Sequence, residues 1–135
     1  MEEILEYLKQ CGTFFIAVAV NGRPFVRPFT EVCGFEGRLY FMVRKSSDMY
    51  LYLAQSRSVD ICALHLDKSW ISIAGELTED NRPAVAAAIR EDRRNTLSTL
   101  HTYTGAEGDT AAFFLRRGKA VVSETIGVRQ EWEIR

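Results

Sequence analysis

Arg27 lies in the middle of an apolar-alternating run, directly before Pro28. Two cations and two serines, Arg44, Lys45, Ser46 and Ser47, follow another strand-like run and precede a helix-like one. These residue types suit an anion. A helix N-terminus presents unsatisfied N–H groups and the positive end of its dipole. Serine hydroxyls add donors, and arginine adds a planar, permanently charged fork that can grip phosphate oxygens from a neighbouring strand. Alone, Arg44-Lys45 reads as a solvated surface pair and Ser46-Ser47 as helix capping. Together with a strand-embedded Arg27 they point to anion binding.

Other chemistries find less support. His65 and His101 are too few and too separated for a metal cluster, so no metal site is expected. A packed or surface histidine is the favoured reading of His65, with a role at a cofactor second. The sequence has no Gly-x-Ser-x-Gly elbow, Walker loop or Gly-x-Gly-x-x-Gly, and no catalytic side chain is identified. Glu76, Glu79 and Asp80 read as a solvated strand end. Cys11, Cys33 and Cys62 are odd in number, far apart and free of Cys-x-x-Cys spacing, so they read as small buried hydrophobes. No basic residue adjoins Cys33 to activate its thiol. A net charge of −1 argues against nucleic-acid or membrane-surface partners, which need a positive field. The 135 residues suit one domain, 1–135, and 47% hydrophobic with 26% charged residues is ordinary for a globular chain. No apolar run approaches the ~20 residues of a membrane span. The acidic start Met1-Glu2-Glu3 does not suit a signal peptide, so a cytoplasmic location is expected.

The elements that must position these residues follow from periodicity and turn chemistry. Met1, Ile4, Leu5, Leu8 and Cys11 mark one stripe of a helix that Gly12 can stop. Residues 13–20 are β-branched and aromatic and read as a buried strand. Asn21-Gly22 signals a type I′ hairpin. The return strand spans 24–33, with Phe25, Arg27 and Phe29 on one face. Pro28 inside it implies a bulge, an edge, or an N–H the ladder does not need. Glu36-Gly37 turns into a third strand at 38–43, so residues 13–43 are expected to form a meander. Ser46-Ser47-Asp48 starts a short helix carrying Met49, Tyr52 and Leu53. Strands are expected at 58–66 and 70–77, with Gly75 marking a bulge or a close backbone approach. Arg82-Pro83 opens an alanine-rich helix. Residues 92–110 read as polar loop, with a short helix near 96–101. Segments 111–115 and 119–124 make a last hairpin or one bulged long strand, and 127–135 is too short to classify. Five to seven antiparallel strands with flanking helices make an α+β fold, mostly antiparallel, that can close into a small barrel.

The stretch Val26-Arg27-Pro28-Phe29, then Phe35 to Phe41, Ser46 to Leu53, Val59 to Ile61 and Trp70 to Gly75, resembles the pyridoxamine 5′-phosphate oxidase-like family. The N-terminal MEEILEYLKQCGTFFIA is similar to small bacterial members of the general stress and Nim types. The similarity runs in order over residues 1–80. It implies a six- to seven-stranded split β-barrel with flanking helices, and a homodimer with FMN at the subunit interface. It further implies an FMN-dependent oxidoreductase acting on a small molecule, with NAD(P)H or another flavoprotein as reductant. Carried over position by position, it places Arg27 at the FMN phosphate and Pro28, Phe29 and Thr30 along the ring. Met42 and Val43 fall at the strand end touching the flavin; Lys45, Ser46 and Ser47 fall at the phosphate turn. Trp70 and Ser72 fall near the ring or the other subunit. The chain departs from the family in lacking lysine at Ser47 or Met49, glycine at Thr30 and threonine at Val43. A non-catalytic flavin or haem binder, with His65 or His101 as haem ligand, and a cofactor-free dimeric barrel are the alternatives. The acid–base residues of true pyridoxamine phosphate oxidases are not recognisable.

Overall fold

The computed structural model describes residues 1–95 and 107–135. Helix α1 (Glu2–Cys11) leads into strands β1 (Phe14–Val20), β2 (Arg23–Phe29), β3 (Val32–Phe35) and β4 (Arg38–Arg44). Helix α2 (Asp48–Gln55), strands β5 (Ser58–Leu64) and β6 (Trp70–Glu79), helix α3 (Pro83–Asn95), and strands β7 (Thr110–Glu124) and β8 (Gly127–Ile134) complete it. All the strand pairs are antiparallel, in the order β2-β1-β5-β6-β7-β4-β3, with β8 on β7.

The two tight turns behave as their residues dictate. Asn21 and Gly22 take φ of 53° and 79°, and Glu36 and Gly37 take 51° and 74°. The expected meander over 13–43 does not form. The run read as one strand at 24–33 breaks at Thr30-Glu31. Strand β2 pairs with β1 at one end of the sheet, and β3 pairs with β4 at the other. Two residues therefore join opposite edges. The prolines fit this arrangement, since Pro24 and Pro28 both lie on the edge strand β2.

Segments 111–115 and 119–124 form one long strand rather than a hairpin. Strand β7 pairs with β6 on one side; on the other it pairs first with β4 and then with β8. The unclassified tail is thus an eighth strand. Register shifts between Ala74 and Glu76, where Gly75 sits, and Arg117 takes φ of 53°. A Cβ on Gly118 would stand 2.0 Å from the Ala74 carbonyl oxygen, so only glycine permits this approach. Helix α3 begins at Pro83, as the proline suggests, and continues to Asn95. The short helix expected at 96–101 lies outside the described residues.

The sheet curls around one interior. Phe14, Ile16, Val18, Phe41, Ile61, Ile71 and Ile73 fill it, joined by Ile4 and Leu8 of α1 and Met49 and Leu53 of α2. The Phe14 ring stacks with Phe29 at 6.1 Å and meets Phe41 edge-on at 5.6 Å, tying the edge strand β2 to β4 across the curl. A second cluster forms where Val85 and Ile89 of α3 cover Cys33, Tyr40 and Ala112 on the outside of β3, β4 and β7. No helix among the described residues is long and apolar enough to cross a membrane.

Candidate functional site

The end of β2, the Thr30-Glu31 crossing, the end of β4, the start of α2 and Thr110 enclose a cleft of about 280 Å³. Seven residues expected at a cofactor line it: Arg27, Pro28, Phe29, Thr30, Met42, Val43 and Ser47. They come from strands at opposite ends of the sheet order, so only the curl of the sheet brings them together.

Arg27 points from the inner face of β2 towards the N-terminus of α2. Its Nη2 donates to Asp48 Oδ2 at 2.6 Å and its Nε to Asp48 Oδ1 at 3.3 Å. Its Nη1 donates to the Val26 carbonyl at 2.8 Å. The guanidinium lies 5.8 Å from the centroid of the Tyr52 ring, which stacks on Phe25 at 4.0 Å. The hydrogen bond from Arg27 holds the Asp48 carboxyl below the usual carboxylate range, helped by backbone N–H groups of Met49 and Asp48. Asp48 is a lining residue that sequence reasoning missed, as it missed Glu31, Met49 and Thr110. Its signal was available: an acid in the first turn of a helix facing a strand arginine.

The 44–47 turn is pinned to the start of β7. Ser46 Oγ donates to Asp109 Oδ2 at 2.9 Å, Lys45 N to the Asp109 carbonyl at 2.7 Å, and Arg44 Nε stands 3.5 Å from Asp109 Oδ2. Ser47 occupies the N-cap position, but its hydroxyl donates to the Arg44 carbonyl at 2.6 Å and does not cap α2. Lys45 lines a neighbouring cleft of about 210 Å³ with Asp80, Arg82, Arg90 and Arg93.

Trp70 and Ser72 are not in the cleft. They sit on the outer face of the sheet, where Ser72 Oγ donates to Asp60 Oδ1 at 3.3 Å. One row across that face reads Pro28, Phe15, Cys62, Ser72. Phe15, Val26, Leu64 and Trp70 are exposed on it, at 45%, 51%, 68% and 38%. Cys62 is exposed and Cys11 half-buried, so of the three cysteines only Cys33 is the buried hydrophobe that the sequence suggested for all.

His65 is outside the lining of the cleft. Its Nε2 lies 2.9 Å from Gln10 Oε1, its Nδ1 accepts the Asp67 N–H at 3.1 Å, and its ring packs on Tyr7. His101 lies outside the described residues. Glu79 and Asp80 are not merely a solvated strand end. Glu79 accepts the Tyr50 hydroxyl at 3.0 Å, and Asp80 accepts that of Tyr40 at 2.8 Å.

No protein-family model matches the chain, and no curated protein does. Solved structures do. A NimC/NimA family protein from Clostridium acetobutylicum superposes with a TM-score of 0.84 at 27% identity, over 99% of this chain and 90% of that one. The chain has the pyridoxamine 5′-phosphate oxidase-like split-barrel fold. A Clostridium acetobutylicum protein related to general stress protein 26 of Bacillus subtilis matches at TM-score 0.69 and 13% identity, over 98% of this chain and 93% of that one. A pyridoxamine 5′-phosphate oxidase-related, FMN-binding protein from Nostoc punctiforme matches at TM-score 0.64 and 17% identity, over 93% and 84%. The resemblance read from residues 1–80 thus holds as a fold across nearly the whole chain. In this split barrel, the cleft lies where the two edges of the sheet approach each other.

Proposed function

We propose that the protein binds FMN in this cleft and acts as an oxidoreductase on a small molecule, as a homodimer. The observation that carries the reading is Arg27 aimed at the N-terminus of α2 in a cleft that also has an apolar wall of Pro28, Phe29, Met42, Val43 and Met49. The donor set fits the group. A phosphate needs a cationic fork and N–H donors, and Arg27 and the first turn of α2 supply both once the phosphate takes the place of the Asp48 carboxylate. A planar, largely apolar ring needs apolar walls, and Pro28, Phe29, Met42, Val43 and Met49 supply them. FMN supplies the hydride and electron chemistry. The chain orients the ring and excludes water from its apolar side. None of its side chains is assigned as a nucleophile.

The cleft of one chain is at the small end for ligand pockets, which start near ~300 Å³. A second copy enlarges it. Pro28 belongs both to the cleft and to the row that carries Phe15 across the outer face. Contiguous exposed apolar surface of that kind marks an interaction site. A partner docked there would bring Trp70 and Ser72, remote from their own cleft, towards the partner's ligand. NAD(P)H is the reductant that suits a flavin site of this type. Of the two histidines named for the haem alternative, His65 already has partners on both ring nitrogens.

The test is the visible absorption spectrum of the purified protein, before and after FMN is added and the mixture desalted. Retained flavin bands with NAD(P)H-dependent bleaching support the reading. A Soret band, or colourless protein that does not retain FMN, overturns it.

A further inference from the structure

We propose that Asp48 is a built-in competitor for the anion position of the cleft, so that it sets how strongly this protein prefers phosphate-bearing ligands over phosphate-free ones. The proposal rests on the cleft being a ligand site, as argued above, and deepens that reading.

Three observations converge. First, both carboxylate oxygens of Asp48 sit on the Arg27 fork, at 2.6 and 3.3 Å, which is the geometry a phosphate would use. Second, Asp48 is the first residue of α2, where the backbone N–H groups have no intrahelical partner. Ser47 does not cap them, because its hydroxyl turns to the Arg44 carbonyl. The carboxylate therefore holds the two features of an anion site, an arginine fork and a helix start. Third, the cleft's charges are already balanced within the chain: Arg27 by Asp48, Arg44 by Asp109 and Glu31 by Arg93. A dianionic phosphate entering beside Arg27 meets a like charge unless Asp48 gives way.

Giving way is feasible. The Arg27 and Asp48 side chains are 38% and 48% exposed, so solvent and ligand can reach the pair. The exchange burdens every ligand that brings a phosphate and spares one that lacks it. Riboflavin and FMN differ by that group alone, which makes them a matched pair of probes.

The experiment titrates FMN, riboflavin and inorganic phosphate into the wild type, Asp48→Asn, and the double variant Arg27→Ala/Asp48→Asn. Flavin binding is read by fluorescence quenching and phosphate binding by the rise in Tm. Asparagine keeps the shape and the hydrogen-bonding oxygen but removes the charge. Asp48→Asn is expected to tighten FMN binding about tenfold, and to leave riboflavin within about twofold. Inorganic phosphate should raise the Tm of Asp48→Asn more than that of the wild type, and the double variant should lose both gains. FMN binding that is unchanged or weaker in Asp48→Asn, or an equal gain for riboflavin, overturns the proposal. If no flavin binds any form, the FMN reading fails, and the phosphate arm still decides the role of Asp48. Equal phosphate shifts in wild type and variant would refute it.

Discussion

Replacing Asp80 with asparagine tests how the split barrel ties its outer helix to the sheet. Asp80 stands between β6 and α3, and its side chain is 10% exposed. Oδ2 accepts the Tyr40 hydroxyl at 2.8 Å and Arg82 Nη2 at 2.9 Å, while Oδ1 accepts Arg82 Nε at 3.0 Å. Arg82 also reaches Glu36 Oε1 at 2.6 Å, so one network links α3 to the β3–β4 turn. The Arg82 hydrogen bonds, with help from Tyr40, lower the Asp80 carboxyl from 3.8 to about 2. A folded-state value below the unfolded one means stability that is present above pH ~4 and lost as pH falls towards 2. A shift of that size corresponds to at most ~2.4 kcal/mol. Arg82 is 53% exposed, and solvent screening reduces the figure to about 1 kcal/mol. Urea unfolding of the wild type and Asp80→Asn at pH 7, 5 and 3 measures it. The variant should be about 1 kcal/mol less stable at pH 7 and 5, with the gap roughly halved at pH 3. A gap that stays constant down to pH 3, or none at pH 7, refutes the reasoning.

The other predictions use different probes. Gly118→Ala forces a Cβ against the Ala74 carbonyl and parts β6 from β7 at the bulge. It should cost about 3 kcal/mol or more in urea unfolding, and an unchanged midpoint would contradict the close approach. Burial pushes the Cys33 thiol up to about 11. A thiol reagent at pH 8 should therefore modify Cys33 only on unfolding, and its modification in the native protein would count against this packing. Phe15→Glu puts a charge in the exposed apolar row of the outer face. Light scattering should show it converting a dimer to a monomer, and a dimer that persists would place the interface elsewhere.

The sequence exposes the local half of this fold more clearly than the global half. Both tight turns, the stripe of α1, the proline start of α3 and the Gly75 bulge follow from residue type and spacing, because each depends on neighbours in the chain. Pairing partners do not. The break at Thr30-Glu31 leaves no turn signature, since the chain there leaves one edge of the sheet for the other without reversing. Strand β8 was illegible because its residues are mostly exposed and its apolar contacts, Trp132 and Ile134, come only with β7 in place. At the cleft, residue type showed which groups could meet an anion. It could not show that Lys45 turns to a separate cleft, or that Ser46 and Ser47 give their hydroxyls to Asp109 and Arg44. Those outcomes depend on where β7 begins, far along the chain.

That long strand has a consequence for the order of events during synthesis. Phe15 must wait for Cys62, and Tyr40 for Phe114, before their ladders can form. A nascent chain that ends before Thr110 has β4 paired only to β3, and β6 paired only to β5. It then presents two open strand edges, with Phe41, Val43 and Leu77 lacking the cover they have in the finished protein. Emergence of residues 110–124 satisfies both edges with a single segment. Until that moment the growing polypeptide is most exposed to wrong pairing with its neighbours, and most in need of a chaperone.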